Sequence, residues 1–370
     1  MYSSVPARDS GVPLVSVIVR SMARPSLAAA LASLARQDHP AIEVLVVAAA
    51  GAAHPPVAEH AGAHAVRLVA SDAPLSRAAA ANAGLAAARG AWITFLDDDD
   101  ELLPEHVSGL VRAHDEAPQA DVVHCHARAV FANGRVERFG QPHATLELYD
   151  RNYLHLSTAI VRSSAAKACR FDDTLVVHED WDFFLQLARD RRFHFVPRET
   201  FIWHADAGTS GAAGGVNQDD ALFAHYRDQV YAKWTMERDA LVDRVTAHLE
   251  PAQLKAQRGD YPAAEAHCRM ALEVSQNDPW ALNLLAMVKR SMGDLAAARA
   301  AQELAVAVRP NDAAFAHNLA LLAIAQHDLA RARECIDSAL RIDPTFTPAQ
   351  RLKSHLDRGG SAQQNAGNAH

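Results

Sequence analysis

The chain has 370 residues, a formal net charge of −8 and a hydrophobic content of 49%. A chain of this length buries one large core or two moderate ones. Its acidic balance argues against nucleic acid as the main partner. The polar first residues lack the apolar core of a signal peptide, and no apolar run is long enough to span a bilayer. We therefore predict a cytoplasmic protein without a transmembrane segment, peripheral at most to the inner face of a membrane.

Four cysteines and 20 histidines raise the question of a disulfide framework or a zinc site. The cysteines are scattered along the chain without a CxxC pair, which favours reduced thiols. The densest histidine cluster, His124-Cys125-His126, lies on a predicted strand whose alternation puts both histidines on one face. No further zinc ligand at suitable spacing is visible, so we interpret these histidines as structural.

Apolar strand-like runs alternate with helical patterns in the first half of the chain. The strand-like runs are 14–19, 42–47, 65–69 and 91–96, and the helical patterns include 26–36 and 76–89. Such alternation is typical of α/β proteins, in which helices cover both faces of a largely parallel sheet.

The strand predicted at 91–96 ends in four consecutive aspartates, Asp97 to Asp100. In an open α/β sheet, ligands bind at the carboxyl ends of the strands. Adjacent carboxylates repel one another, and a hard divalent cation such as Mg²⁺ or Mn²⁺ removes that conflict through oxygen ligands. Asp97 and Asp99, two residues apart, suit such a site. The alternative is that the run only caps a helix opened by Pro104.

The second half of the chain carries an internal repeat. Gly259, Gly293 and His327 keep a 34-residue period, as do the alanine series Ala264, Ala298, Ala332 and Ala271, Ala305, Ala339. That period, with small residues where paired helices cross, is typical of the tetratricopeptide repeat (TPR). We predict about three repeats, which recruit a protein partner or acceptor or mediate self-association.

These patterns divide the chain into five segments. They are a disordered N-terminus at 1–12, an α/β domain at 13–218, a connecting helix at 219–248, a TPR-like domain at 249–358 and a disordered tail at 359–370. The glycine-rich stretch 207–215 has the composition of a mobile lid or of a plain interdomain linker.

Three ordered motifs resemble those of the family 2 glycosyltransferases of the GT-A fold. They are the strand 13–20 followed by Arg24-Pro25, the stretch 77–84 with the acidic run 95–100, and Phe171-Asp172 followed by His178-Glu179-Asp180-Trp181. The resemblance covers about residues 13–205. It implies a Rossmann-like mixed sheet and transfer of a sugar from a nucleotide-diphosphate donor, such as a UDP-, GDP- or dTDP-sugar. The implied acceptor is a hydroxyl of a glycan, a lipid-linked glycan or a protein, as in bacterial polysaccharide biosynthesis.

The resemblance also implies a role for each matching residue. Asp99 and Asp97 would hold Mn²⁺ or Mg²⁺, with His204 as a further candidate ligand. The candidate donor-binding residues are Arg20, Ser21, Arg77, Asn82, Asp97 and Asp98. Asp180 is the candidate general base, and Glu179 is the neighbour that tunes or replaces it. Attack opposite the leaving group predicts inversion at the anomeric carbon.

Each of these roles has a structural alternative. Glu179 and Asp180 also suit the first turn of a helix, where carboxylates interact favourably with the helix dipole. Arg77 is equally compatible with a solvated helix position. His204 is equally compatible with a satisfied structural histidine.

One stretch departs from the family pattern. Residues 47–51 are Val-Ala-Ala-Ala-Gly, where the family commonly carries an acidic pair that contacts the nucleotide base. Ser71 and Asp72 are candidates to replace that contact. The departure keeps a second function open, a non-catalytic TPR scaffold with a degenerate transferase domain. A nucleotidyltransferase is disfavoured, because no glycine- and basic-rich loop follows the first strand.

Overall fold

The computed structural model describes residues 11–206 and 220–367, with side chains described to residue 358. Most of the predicted disordered N-terminus and the glycine-rich stretch 207–215 therefore lie outside the described residues. The chain forms two compact units. The sheet unit comprises Met1–Gln141 and Arg151–Trp234, and the helical unit comprises Pro142–Asp150 and Thr235–His370.

A mixed sheet forms the centre of the sheet unit. Its strands are β1 (Val15–Ser21), β2 (Ile42–Ala48), β3 (His60–Ala61), β4 (His64–Val69), β5 (Trp92–Asp97), β6 (Glu101–Leu102), β7 (Val122–Val130), β8 (Val136–Phe139), β9 (Ala159–Arg162) and β10 (Phe193–His204). Their order is β3-β4-β2-β1-β5-β9-β7-β10-β6, and β8 pairs with β7. Strands β4, β2, β1 and β5 are parallel, whereas β9 is antiparallel to both of its neighbours. The predicted mixed α/β sheet is confirmed.

Helices cover both faces of this sheet. They are α1 (Leu27–Ala35), α2 (Arg77–Ala87), α3 (His106–Glu116), α5 (Ser163–Ala166), α6 (Glu179–Ala188) and the start of α7 (Asp220–Gln257). The valines of β1 form a core with Leu34 of α1 and Leu110 of α3 on one face. On the other face Phe95 of β5 makes an edge contact with Phe183 of α6. Strand alternation separates these two sets of side chains.

The register of the parallel strands determines where polar side chains meet. Strands β1 and β5 pair so that Arg20 lies opposite Asp97. Arg20 is one residue before the end of β1, and Asp97 is the last residue of β5. Because the carboxyl ends of parallel strands share one edge of a sheet, this pairing brings a cation and a carboxylate to the edge where ligands bind.

The helical unit consists of hairpins of similar length. Its helices are α4 (Thr145–Asp150), the later part of α7, α8 (Tyr261–Val274), α9 (Pro279–Ser291), α10 (Leu295–Val308), α11 (Ala313–Ala325), α12 (Leu329–Ile342) and α13 (Thr347–Gly367). All six alanines of the two predicted series are 0% exposed, as expected where paired helices cross. The repeat predicted from the 34-residue period is therefore reflected in the packing.

The turns within the hairpins repeat as well. Gly259, Gly293 and His327 have φ values of 77°, 83° and 61°, the left-handed conformation that ends many helices. An aspartate follows each of them and caps the next helix by accepting a backbone N–H, from Ala263, Ala297 and Arg331 respectively. Each repeat therefore uses the same pair of local signals, one that ends a helix and one that starts the next.

Two helices differ in extent from the sequence-based segments. Helix α7 runs from Asp220 to Gln257, and its residues 220–234 belong to the sheet unit instead of only connecting two domains. Helix α13 continues to Gly367, where a disordered tail is predicted from residue 359. Helical backbone hydrogen bonds form within a single segment, so a polar sequence is compatible with this extension. No helix among the described residues combines the length and the apolar character needed to cross a bilayer.

Replacing Gly84 of α2 by alanine tests the packing of α2 on the sheet. An added Cβ would lie 2.2 Å from Ile18 Cγ2, a branched side chain in the middle of β1. We expect Gly84→Ala to lower the free energy of unfolding by about 1–3 kcal/mol, because overpacking outweighs the better helix propensity of alanine. Urea denaturation followed by circular dichroism measures the change.

The matched control is Gly109→Ala, also within a helix of the sheet unit. Nothing lies within 4 Å of an added Cβ at Gly109. Here we expect unchanged stability or a gain of up to about 1 kcal/mol from helix propensity alone. Equal stability of the two variants would contradict the close approach of α2 to β1.

Candidate active site

A cavity of about 740 Å³ opens at the carboxyl edge of β1 and β5, a volume typical of small-molecule sites. Both strand ends line it, through Arg20 and Asp97. Other parts of the wall come from the start of α2, residues 151–156 except Tyr153, residues 175–181, and Phe223, Arg227 and Tyr231 of α7. The wall therefore combines separate parts of the sheet unit.

Arg20 joins the two acidic motifs. Its Nε and Nη2 donate to Asp97 Oδ1 and Oδ2 at 2.7 and 2.9 Å, and its Nη1 donates to Glu179 Oε1 at 2.8 Å. The residue is 8% exposed. All three nitrogens of the guanidinium thus bind carboxylates of the protein, and Arg20 bridges β5 and α6. Arg20 also lines the cavity, and its predicted donor contact stays a prediction.

Three carboxylates gather beside this bridge. Oxygen atoms of Asp97, Asp99 and Asp100 all lie within 4.8 Å of one another. Arg24 Nη1 lies 2.8 Å from Asp98 Oδ1 and 3.0 Å from Asp99 Oδ2. A close set of carboxylate oxygens suits hard cations such as Mg²⁺ and Mn²⁺.

The protonation of these carboxylates differs. Burial favours the neutral form of Asp97, but the Arg20 guanidinium outweighs it and lowers the pKa of Asp97 to about 2. Burial, followed by the charge of Asp97, raises the pKa of Asp99 and raises that of Asp100 well above its ordinary value. Burial and the negative charges of neighbouring carboxylates therefore disfavour the ionised form of Asp99 and Asp100. A bound cation would stabilise that ionised form.

His204 lines the cavity but is not part of the acidic cluster. Its backbone N–H donates to Asp100 Oδ1 at 2.9 Å, and its Nε2 lies 3.3 Å from Glu101 Oε1. The antiparallel pairing of β10 with β6 brings the end of β10 back to the acidic run. The third carboxylate that lies beside Asp97 and Asp99 is Asp100, which the sequence-based prediction of metal ligands did not include. The predicted metal-binding role of His204 stays a prediction.

Ser21 and Asp98 do not line the cavity. Each follows a member of the Arg20–Asp97 pair by one residue, so strand alternation directs its side chain away from that pair. Both are 0% exposed; Ser21 Oγ donates to Asp98 Oδ2 at 3.1 Å, and that oxygen also accepts the Met22 N–H at 2.7 Å. In this geometry both side chains support the loop after β1, and their predicted donor contact stays a prediction.

Asn82 is also directed away from the cavity. Its side-chain amide donates to the Phe171 carbonyl at 2.9 Å and accepts the Phe171 N–H at 3.0 Å. Arg77 and Ala80, three residues apart on one side of α2, line the cavity, whereas Asn82 lies five residues beyond Arg77 and faces elsewhere. Asn82 therefore anchors the loop before α6, and its predicted donor contact stays a prediction.

Glu179 and Asp180 begin α6 and occupy different environments. Glu179 is 2% exposed and lies 3.6 Å from Arg77 Nε in addition to its bond with Arg20. Asp180 lines the cavity, and its Oδ1 accepts the Trp181 N–H at 2.7 Å and an Asn152 Nδ2 hydrogen at 3.4 Å.

Their pKa values move in opposite directions. Burial raises the pKa of Asp180 to about 6, with the charge of Glu179 as the next cause. Burial also acts on Glu179, but Arg77 and Arg20 together lower its pKa. Two adjacent carboxylates with separated pKa values are typical of sites that move a proton.

Helix α7 contributes residues that the sequence-based prediction missed. Phe223, Arg227 and Tyr231 line the cavity at four-residue intervals. The helix is anchored next to them, since Lys233 Nζ lies 2.9 Å from Asp182 Oδ1 and Trp234 Nε1 donates to the same oxygen at 2.8 Å. The four-residue spacing of these side chains was the available signal that one face of this helix is packed.

The region after β2 is apolar where the family carries an acidic pair. Ala49, Leu75 and Ala80 line the cavity there. Neither Ser71 nor Asp72 is among the described residues that form its wall, and Ser71 Oγ donates to the Ala73 carbonyl at 2.6 Å. No carboxylate from residues 47–51 or 71–72 is therefore part of the described wall of this cavity.

Comparisons with known proteins identify both halves of the chain. Residues 16–173 match the family model "Glycosyl transferase family 2", and residues 281–312 match "Tetratricopeptide repeat". The chain is 26% identical to the succinoglycan biosynthesis protein ExoO of Rhizobium meliloti (strain 1021) over 237 residues, which is 59% of this chain and 68% of ExoO. It is 28% identical to the uncharacterized glycosyltransferase YwdF of Bacillus subtilis (strain 168) over 210 residues, 54% of this chain and 77% of YwdF.

Among solved structures, S. aureus TarS 1–349 in complex with UDP-GlcNAc aligns with 89% of this chain and 92% of its own length, at 18% identity and a TM-score of 0.46. The residues matched by the transferase model include the second motif and most of the first, and YwdF is named as a glycosyltransferase. Residues 16–173 of this chain are a family 2 glycosyltransferase domain, residues 281–312 are a tetratricopeptide repeat, and the protein is a glycosyltransferase.

Proposed function

We propose that the protein transfers a sugar from a nucleoside diphosphate donor to a hydroxyl acceptor, with inversion at the anomeric carbon. The observation that carries this proposal is a cavity whose wall includes both the acidic cluster and the carboxylate of Asp180. Glycosyl transfer needs a departing diphosphate to be stabilised and an acceptor hydroxyl to be deprotonated in one arrangement.

At the diphosphate side, the proposed metal ligands are Asp97, Asp99 and Asp100. When bound, Mn²⁺ or Mg²⁺ would act as a Lewis acid that offsets the charge developing on the leaving phosphates. Arg20 and Arg24 already balance part of the acidic run, and a divalent cation would balance more. Arg77 supports phosphate binding, because its guanidinium lines the cavity and its side chain is 36% exposed.

At the acceptor side, Asp180 is the proposed general base. A carboxylate with a pKa of about 6 is ionised at neutral pH yet basic enough to accept a proton in the transition state. The acceptor proton passes to a carboxylate oxygen of Asp180 while the acceptor oxygen bonds to the anomeric carbon. The diphosphate leaves from the opposite side, which inverts the configuration.

The relatives support the class of acceptor. ExoO is named as a succinoglycan biosynthesis protein, which supports a glycan acceptor in bacterial polysaccharide assembly. The tetratricopeptide repeat supports a protein-interaction role for the helical unit.

Removing one carboxylate of the cluster tests the metal site. We expect Asp99→Asn or Asp100→Asn to weaken Mn²⁺-dependent binding of a nucleoside diphosphate sugar by at least about tenfold, because each change removes an anionic oxygen ligand. Isothermal titration calorimetry with and without Mn²⁺ measures this affinity.

The control is Asp190→Asn, at an exposed position just after α6. Unchanged metal-dependent affinity in the cluster variants would refute the proposed site. If the folded wild-type protein bound no donor in a panel of nucleotide sugars, a non-catalytic scaffold would be favoured instead.

Asp180→Asn tests the general base. We expect kcat to fall by about 10²–10⁴-fold, because the amide cannot accept the acceptor proton. Donor affinity should stay within about twofold, since the variant keeps the shape of the side chain. Retention of most of the wild-type kcat would assign the base to another group. The anomeric configuration of the product, read by NMR, tests inversion independently.

The pH profile tests the environment of Asp180. A base works only when deprotonated, so kcat/KM should fall as the pH drops through about 6. Glu179→Gln removes a charge that raises the pKa of Asp180, and we expect this acidic limb to move to lower pH. A limb that stays in place or moves upward would contradict the assignment of Asp180 and Glu179.

A further inference from the structure

The helical unit contains a segment from the middle of the transferase half of the chain. Residues Pro142–Asp150, here called the docking segment, leave the sheet unit after Gln141 and return to it at Arg151. The two ends of this excursion meet, because Arg151 Nη2 donates to Gln141 Oε1 at 2.6 Å. The docking segment is thus a loop of the sheet unit that folds as part of the helical unit.

The loop between α8 and α9 binds the main chain of the docking segment. The Thr145 N–H donates to the Gln276 carbonyl at 3.0 Å, and the Gln276 N–H donates to Thr145 Oγ1 at 3.1 Å. Asn277 Nδ2 donates to the His143 carbonyl at 2.8 Å. Main-chain hydrogen bonds of this kind are how proteins bind peptides in a defined register.

Side chains of the docking segment add charge and apolar contacts. Glu147 is 5% exposed, and its Oε1 lies 2.7 Å from Arg309 Nε, just after α10. Leu146 packs against a core cluster that includes Val245, Ala271 and Ala281. A buried carboxylate is stable only with a close cationic partner, so the helical unit is chemically matched to this segment.

We propose that this part of the helical unit is a binding site for the chain's own docking segment, and that docking positions residues 151–156 in the wall of the active site. Asn152, Leu154, His155 and Leu156 line the cavity directly after the excursion. Asn152 also donates to Asp180, the proposed base. The expectation that this wall contacts the acceptor rests on the proposed function. The docking and its effect on residues 151–156 do not depend on it.

Residues 151–155 need such an anchor because they form no helix or strand of their own. His155 packs against Phe201 and Trp203 of β10, and Arg151 and Asn152 make the side-chain hydrogen bonds described above. The path of the main chain depends in addition on the segments at its two ends, which are the docking segment and the short helical turn Leu156–Thr158 that leads into β9. Loss of the first of these would remove one restraint and let the main chain open locally more often.

The test is the full-length double variant Asn277→Gly/Arg309→Gln. Asn277 has a φ of 54°, so glycine keeps the backbone conformation and removes only the side-chain hydrogen bond. The control is His327→Gly/Arg333→Gln: His327 has a φ of 61°, and Arg333 pairs with Asp357 elsewhere in the helical unit. Both double variants change one left-handed residue and one ion-paired arginine.

Hydrogen–deuterium exchange of the substrate-free proteins provides the readout. We expect amide exchange across residues 142–158 to be about tenfold faster in the docking variant than in wild type, and unchanged in the control variant. If the docking variant exchanged at the wild-type rate across residues 151–158, the proposal would be overturned, even if residues 142–150 exchanged faster.

Enzyme assays on the same variants separate this proposal from the proposed function. We expect the docking variant to raise the KM for the acceptor severalfold while the Kd for the donor stays as in wild type. An unchanged acceptor KM together with unchanged exchange would refute the positioning role. Faster exchange in a protein that transfers no sugar would refute only the proposed function.

Discussion

The geometry of the candidate site depends on the buried guanidinium of Arg20. This one side chain holds the end of β5 to the start of α6, through Asp97 and through Glu179, which lies 159 residues further along the chain. Burying a cation between two carboxylates is costly unless every partner is well placed, and here three nitrogens make short contacts. The same bridge separates the proton affinities of neighbouring carboxylates: it helps Glu179 stay ionised against burial, and that charge in turn helps raise the pKa of Asp180.

The sequence predicted features that depend on local patterns. The alternation of strands and helices and the 34-residue period both follow from spacing along the chain, and the structure has both. The two acidic motifs likewise meet at one cavity. Ser21, Asp98 and Asn82 do not line the cavity, and strand alternation and helical spacing account for their direction away from it.

Other parts of the site depend on contacts between distant segments. His204 lies next to Asp100 because β10 pairs antiparallel with β6, a pairing that single-sequence patterns do not reveal. The contribution of α7 to the cavity depends on its ion pair and hydrogen bond to Asp182, which is 0% exposed. Residues 151–155 carry no periodic pattern at all, so nothing local marked them as part of the wall.

The alanines after β2 have a consequence for selectivity under the proposed function. An apolar wall of Ala49, Leu75 and Ala80 offers shape and backbone groups where an acidic side chain would offer a hydrogen-bond acceptor. Apolar pockets discriminate between similar ligands by only small free-energy differences. Selection of the donor would then depend more on the sugar and diphosphate contacts than on the base.

The excursion of the docking segment also constrains how the protein is made. Gln276, which binds Thr145, follows it by 131 residues, so a ribosome synthesising about 5–20 residues per second needs on the order of ten seconds to supply it. Strands β9 and β10 are synthesised during that interval, before the surface that receives residues 142–150. Under the proposed docking, the cavity wall at residues 151–156 is completed only after the loop between α8 and α9 has been made, and a chain truncated before that loop would carry the transferase motifs with this wall unfinished.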